Sequence, residues 1–149
     1  MAEILPPTNP ARQFTHLARL LTRYFDRRLA SLAINVANLP VLGALRNSAP
    51  MSQKQLTEIG QIGQPAMAQM LDRLMREGLL VRSADTVDRR KALFALSLRA
   101  QDLMAAVETH LTEGNAEVFS VLTPDEFETL MRLVQKLEQH LAAEGDAVG

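Results

Sequence analysis

The 149-residue sequence predicts a mainly α-helical protein with one small β-hairpin. Apolar residues recur at intervals of three and four over most of the chain, which is the spacing of amphipathic helices. Two short apolar runs, at 79–81 and 92–96, are separated by about ten mostly polar residues and suit the two strands of a hairpin.

Two helices are expected before residue 50. Apolar residues at helical spacing place the first over residues 11–34, after a proline-rich arm. Asn38 is expected to cap the second helix, with Pro40 in its first turn. The sequence Asn-Ser-Ala-Pro at 47–50 should end it.

A short helix and a longer one are expected next. Ser52 and Gln55 have the spacing of a capping box, so we expect a helix that begins there and stops at Gly60. The longer helix covers residues 64–77. It ends at Gly78, where a residue able to adopt a positive φ is favoured.

Two long helices are expected within residues 98–143, after the hairpin. The sequence Thr-Pro-Asp-Glu at 123–126 combines an N-cap, a proline at the first helical position and a capping glutamate, so the second long helix should begin there. Three short helices followed by a hairpin are the element order of a winged helix-turn-helix. This unit covers residues 38–97, and the hairpin is its wing.

The helices that flank the winged unit are expected to form a homodimer. A unit of about 60 residues covers little of their apolar stripes, and a second copy of the chain is the most economical cover. We therefore expect one domain over residues 1–149, with dimerisation helices at 11–34 and 98–143. The residues expected at the dimer interface are Phe14, Leu17, Leu130, Val134, Leu137 and Leu141.

The composition excludes several classes of protein. The chain has no cysteine, no apolar stretch long enough to span a membrane and no secretory signal pattern, so we expect a cytoplasmic protein without disulfides or a membrane span. It has no glycine-rich phosphate loop and no Gly-x-Ser-x-Gly motif, so we expect neither an enzyme nor a cofactor. Its histidines, His16, His110 and His140, fall on three different helices, which disfavours a metal or pH-sensing site.

Charge is divided unevenly along the chain. Residues 1–100 contain 14 Lys and Arg against 7 Asp and Glu, whereas residues 101–149 contain 2 against 10. The net charge of −1 therefore hides a basic part and an acidic part. This pattern fits a basic surface that faces a polyanion, and it also fits solvated helix faces of opposite sign.

The hairpin tip carries Asp88, Arg89, Arg90 and Lys91 directly before the second strand. Four consecutive charges do not fit a core, so this segment must protrude into water or into a charged partner.

Residues 63–97 resemble the multiple-antibiotic-resistance regulator (MarR) family of bacterial transcription factors. The motifs that carry the resemblance, in order, are Asp72-Arg73-Leu74, Gly78-Leu79-Leu80, Arg82, Asp88-x-Arg90 and Leu96-Ser97. The resemblance implies a homodimer that binds double-stranded DNA, usually as a repressor. It also implies a pocket between the dimer helices and the DNA-binding lobe, where a small aromatic or phenolic anion releases the DNA.

The wing is expected to meet DNA through its cations. A guanidinium on a hairpin tip suits a narrow minor groove, and Arg90 is the residue expected to enter it. Arg89 and Lys91 should meet phosphates, while Asp88 should hold an arginine or the wing backbone in place. A solvated tip with internal Asp–Arg pairing is the alternative interpretation.

The helix at 64–77 is expected in the major groove, with its N-terminal residues at base edges. Gln64 and Gln69 can read adenine, and Ala66 can contact a thymine methyl group. Arg73 and Arg76 suit phosphates. A polar helix end that contacts no base is the alternative for Gln64.

The sequence departs from the family pattern at two positions. Gly63 stands where many relatives have a Ser or Thr cap, which leaves the register of base reading open. Ala100 stands where the family often has glycine.

The candidate ligand contacts lie on the first helix. They are His16, Arg19, Arg23 and Tyr24, if this helix lines a pocket. Surface charge on an amphipathic helix is the alternative for each of them. The seven methionines are expected to fill the core rather than to form a ligand site.

Two functions from different classes fit the sequence. The first is a ligand-responsive DNA-binding regulator, and the second is a winged-helix module that binds protein instead of DNA. The basic run at 89–91 favours the regulator, because a wing that binds protein has no need of three consecutive cations.

Overall fold

The computed structural model describes residues 9–147, with side chains up to residue 145. Within these residues the chain is mostly helical and has a small antiparallel sheet of three strands, which confirms the expected fold class. The elements in chain order are α1 (Pro10–Leu29), α2 (Leu39–Arg46), β1 (Met51–Ser52), α3 (Gln53–Gly60), α4 (Gln64–Arg76), β2 (Leu80–Ala84), β3 (Ala92–Leu96), α5 (Leu98–Phe119) and α6 (Pro124–Ala147).

The chain divides into two compact units, one up to Leu111 and the other from Thr112 onward. In the first unit, α3 packs on both α2 and α4, and all three helices pack on the β2–β3 hairpin. The start of α5 contributes to the same core. The most deeply buried large side chains are Leu29, Val41, Leu42, Leu56, Met67, Leu71, Leu74, Leu79 and Val107.

The sheet contains one strand more than the sequence predicted. Met51 and Ser52 form β1, which pairs antiparallel with β3, so that Met51 lies opposite Phe94. The strand order is β1-β3-β2. A strand of two residues has no periodicity to detect, and the signal at Ser52 belonged to the helix that begins at the next residue.

Helix α2 begins as predicted, with Asn38 at the N-cap position and Pro40 in the first turn, but the Asn38 side chain makes no capping hydrogen bond. Two 3-10 turns, Ala30–Leu32 and Val36–Asn38, connect α1 to α2, and Asn35 caps the second of them by accepting a hydrogen bond from Asn38 N at 3.2 Å. Asn38 therefore already has helical backbone angles and makes no side-chain cap. It is only 2% exposed, and its Nδ2 has no partner among the described residues.

The helix predicted over residues 11–34 is shorter in the structure, because α1 ends at Leu29 and a 3-10 turn follows it. The predicted ends of α3 and α4 agree with the structure to within one residue. Ser52 and Gln55 form a reciprocal capping box at the start of α3. Gly78 has a φ of +74° directly after the last turn of α4. After Gly60, however, the left-handed position is occupied by Gln61, with a φ of +51°.

The second unit is a helical hairpin formed by the end of α5 and by α6. The predicted start of α6 is confirmed: Thr123 N donates to Glu126 Oε2 at 2.9 Å, and Glu126 N donates to Thr123 Oγ1 at 3.3 Å. The rings of Phe119 and Phe127 pack edge to face across the turn, with centroids 5.3 Å apart.

Among the described residues, no helix by itself has the length and apolar character needed to cross a membrane. One bent pair, Pro10–Leu32 with Val36–Arg46, meets that test only when the two are combined across an 85° bend. The same residues contain no group of three or more side chains suited to hold a metal ion.

Candidate nucleic-acid interface

The tip of the wing is a short, internally hydrogen-bonded loop between β2 and β3. Asp85 N donates to Lys91 O at 3.0 Å, and Lys91 N donates to Asp88 O at 2.9 Å. The Asp85 carboxylate also accepts from Val87 N at 2.9 Å. These bonds give the loop a defined shape although it protrudes from the lobe.

Asp88 pairs with Arg90, as both interpretations of the tip expect. One carboxylate oxygen of Asp88 accepts from Arg90 N at 3.1 Å and from Arg90 Nε at 3.3 Å. The Arg90 side chain is nevertheless 94% exposed, whereas that of Asp88 is 37% exposed. The carboxylate therefore orients the guanidinium through Nε and leaves the outer edge of the guanidinium in solvent.

Helix α4 separates its apolar and polar residues onto two faces. Met67, Leu71 and Leu74 are buried in the core of the lobe. The predicted contact residues are all exposed and are Gln64, Ala66, Gln69, Arg73 and Arg76, of which Gln64 lies at the start of the helix on the side of α3. The spacing of the last four is three, four and three residues, so they form one stripe along the helix.

The start of α4 has no side-chain cap of its own. Gly63 occupies the N-cap position without a side-chain hydrogen bond, as the missing Ser or Thr had indicated. Instead, Gln53 from the first turn of α3 reaches Gln64. Gln53 Nε2 donates to Gln64 Oε1 at 2.9 Å and to Gln64 O at 3.3 Å.

A basic cleft of about 350 Å³ separates α4 from the wing. Four cationic side chains, from Lys54, Arg82, Arg90 and Lys91, line it together with the single carboxylate of Asp72. A cleft with this excess of positive charge attracts polyanions, because the field of several cations adds up in a concave surface.

Gln53, Lys54 and Arg82 line this cleft and were not among the predicted site residues. Lys54 and Gln53 precede the predicted contact helix by ten residues or more, so only the packing of α3 on α4 brings them to the cleft. Arg82 lies opposite Phe94 in the β2–β3 register, which places both side chains on the same face of the sheet. In the sequence, Arg82 could have been identified as a basic residue that directly follows the apolar residues at the start of the strand.

The candidate ligand contacts on α1 are only partly brought together. Arg19 and Arg23 line an open groove of about 510 Å³ that is formed along α1 alone, with Thr22, Asp26, Arg27 and the adjoining Ala30, and His16 does not line it. The hydroxyl of Tyr24 accepts a hydrogen bond from NH1 of Arg28 at 3.3 Å.

Apolar side chains of α1 and α6 remain half-exposed in the single chain. Phe14, Leu17, Leu137 and Leu141 are 47–68% exposed. The other two predicted interface residues, Leu130 and Val134, are partly buried.

Comparison with known proteins gives one family. The MarR family model matches residues 34–92, from the turn before α2 to the first residue of β3. A mutant of MarR from E. coli, solved in complex with operator DNA, is 25% identical and has a TM-score of 0.78, with 85% of this chain and 91% of that chain covered.

Two further solved structures share the fold at lower identity. The MepR–DNA complex from S. aureus is 20% identical with a TM-score of 0.80, over 89% of this chain and 98% of that chain. BpsR from Bordetella bronchiseptica, whose DNA binding is regulated by 6-hydroxynicotinic acid, is 22% identical with a TM-score of 0.78, over 88% of this chain and 94% of that chain.

Proposed function

We propose that the chain is a transcription regulator of the MarR family, whose model matches residues 34–92, and that it binds double-stranded DNA sequence-specifically and thereby regulates transcription. The observation that carries this proposal is the basic cleft, in which Lys54, Arg82, Arg90 and Lys91 surround one carboxylate between α4 and the wing. A surface that binds protein has no requirement for this density of cations.

The two sides of the cleft suit the two grooves of DNA. Helix α4 presents Gln64, Ala66 and Gln69 without burial, and an α-helix fits the major groove, where base edges carry a distinct pattern of donors and acceptors. The wing presents Arg90 on a loop shaped by its own hydrogen bonds. A weakly hydrated guanidinium suits a narrow minor groove, whose negative potential is enhanced.

The protein acts as a homodimer in this proposal. The half-exposed apolar side chains of α1 and α6 support it, because a second copy would remove them from water. A two-fold symmetric dimer reads a pseudo-palindrome, with half-sites about one helical turn apart on one face of the DNA. The protein then acts as a repressor wherever its operator overlaps a promoter, and it works in the cytoplasm.

A small aromatic or phenolic anion is the proposed effector. BpsR, which shares the fold, is regulated by 6-hydroxynicotinic acid, a small aromatic acid. In this chain the groove with Arg19 and Arg23 offers two cations to such an anion, and His16 and Tyr24 lie on the same helix. Binding of the anion would release the DNA if it favours a dimer whose two α4 helices no longer match successive major grooves.

Selection from a pool of random DNA duplexes tests the proposal. We expect the purified protein, at near-physiological salt, to enrich an inverted repeat. If nothing is enriched, the protein is refolded to remove any bound ligand and the selection is repeated. A second failure would contradict DNA binding and favour the alternative, a winged-helix module that binds protein.

A further inference from the structure

The first residues of the two helices of the helix-turn-helix are joined by a pair of glutamines. Gln53 is the first residue of α3, and Gln64 is the first residue of α4. Gln53 Nε2 lies 2.9 Å from Gln64 Oε1 and 3.3 Å from Gln64 O. One amide group therefore contacts both the side chain and the backbone of Gln64.

The backbone contact determines how both amides are oriented. Side-chain amide oxygen and nitrogen are normally assigned from the hydrogen-bond network, because they look alike. The carbonyl oxygen of Gln64 can only accept, so the atom of Gln53 beside it must be the nitrogen. The same nitrogen also faces the side chain of Gln64, which must therefore present its own oxygen, Oε1.

The oriented Gln64 amide still has hydrogen-bond donors and an acceptor that a partner can contact. Its Oε1 has two lone pairs, and Gln53 occupies one of them, so it still accepts one hydrogen bond. Its Nε2 keeps both of its N–H groups. One acceptor beside one donor is the pattern complementary to adenine in the major groove, where N6–H donates and N7 accepts.

Fixing the Gln64 side-chain amide before DNA binds also favours binding. An exposed glutamine has many rotamers, and fixing one of them on binding costs conformational entropy. In this chain Gly63 supplies no side-chain cap, so nothing within the start of α4 itself fixes Gln64. The contact that restricts it comes from α3.

We propose that Gln53 is a positioning residue for base readout, which holds Gln64 so that the pair reads one adenine in each half-site. This inference rests on the proposed DNA-binding function. It assigns base specificity to a residue that lies outside the recognition helix.

Two substitutions of Gln53 test the inference. Gln53→Ala removes both hydrogen bonds, and Gln53→Glu replaces the donor by acceptors, so that the Gln64 amide must turn its nitrogen inward. The readout is the ratio of affinities for the selected operator and for operators substituted at each position. A bidentate adenine contact discriminates by about 5- to 150-fold.

We expect Gln64→Ala to abolish the preference for adenine at one position in each half-site. Gln53→Ala should lower the same ratio several-fold while the salt dependence of binding stays that of the wild type. Gln53→Glu should remove the ratio, and its added carboxylate should also weaken binding to all sequences. The double variant Gln53→Ala/Gln64→Ala should be no less selective than Gln64→Ala, because the two residues act as one unit.

Two control variants separate positioning from a general loss of binding. Lys54→Ala removes the cation next to Gln53 and should weaken binding to all sequences and reduce the salt slope without changing the selected bases. Gln101→Ala removes an exposed glutamine from α5 and should change neither. Thermal unfolding of each variant shows whether the lobe remains folded.

Three results would overturn the inference. If both Gln53 variants keep the wild-type ratio while Gln64→Ala loses it, Gln53 does not position Gln64. If Gln64→Ala acts at a base other than adenine, the assigned pattern is wrong. Both of these leave DNA binding intact, whereas a wild-type protein that selects no sequence removes the proposed function and this inference together.

Discussion

The substitution Arg90→Ala gives a quantitative test of the wing. The Arg90 side chain is 94% exposed, and its ion pair with Asp88 is made at the surface, so its removal should not change the free energy of unfolding measurably. Any change in DNA binding then reports the interface itself.

The expected change in salt dependence follows from the number of wings. Each cation that neutralises DNA contributes about 0.9 to the slope of log affinity against log salt concentration. A homodimer loses one guanidinium from each of two wings, so the slope should become less steep by about 1.8. Between roughly 50 and 200 mM salt, the advantage of the wild type over the variant should therefore shrink about tenfold.

The assay is fluorescence anisotropy with a labelled operator at a series of salt concentrations. Arg132→Ala is the matched control, because it removes the same charge from an exposed position on α6. Its slope should equal that of the wild type. If Arg90→Ala also retains the wild-type slope and affinity, Arg90 does not enter the DNA, and the wing is a solvated tip with an internal ion pair.

Four other substitutions test the remaining assignments. Gln69→Ala should change the preferred base at one position in each half-site, and an identical selected motif would remove Gln69 from the readout. Leu137→Asp places a charge in the proposed dimer interface and should yield monomers that bind DNA weakly; sedimentation as a dimer would exclude α6 from the interface. Leu71→Ala removes a buried leucine from the core side of α4 and should lower the free energy of unfolding in urea by about 2–5 kcal/mol. Gly78→Ala should lower it by about 1–2 kcal/mol, because alanine is strained at a φ of +74°; an equal stability would mean that the backbone there adapts.

The helices were predictable because their signals are local. Ser52 with Gln55 and Thr123 with Glu126 are side chains that bond to backbone groups three residues away, so the spacing in the sequence is already the geometry in the structure. Gly78 was identified for a similar reason, because a helix often ends with a residue of positive φ, and glycine adopts this conformation most easily.

The missing cap hydrogen bond of Asn38 and strand β1 were not predicted, because both depend on distant partners. Asn38 is a residue type that often caps helices. However, Asp26 of α1 accepts a hydrogen bond from Val36 N at 2.7 Å and helps to form the 3-10 turn Val36–Asn38, which is capped by the side chain of Asn35. Strand β1 consists of two residues that pair with β3, more than 40 residues later in the chain. Neither partner is visible in a local pattern.

In the candidate interface, too, the sequence predicted the contiguous part and missed the part that is assembled from distant segments. The charged tip of the wing is contiguous in sequence, so its protrusion and the Asp88–Arg90 contact followed from residue types alone. The basic cleft is assembled from three separate segments, because Lys54 precedes α4, Arg82 belongs to β2, and Lys91 ends the tip. Their convergence needs the packing of α3 and the hairpin on α4.

The position of α4 is determined from outside the helix at both ends. At its start, Gln53 of α3 bonds to Gln64. At its end, Ser97 Oγ donates to Gly78 O at 2.7 Å, and Arg99 NH1 donates to Glu77 O at 2.6 Å. In the proposed complex, the sequence of α4 therefore determines which side chains can face DNA, whereas α3, Ser97 and Arg99 determine the register in which they face it. Relatives with the same exposed residues on α4 should read different operators when these flanking contacts differ.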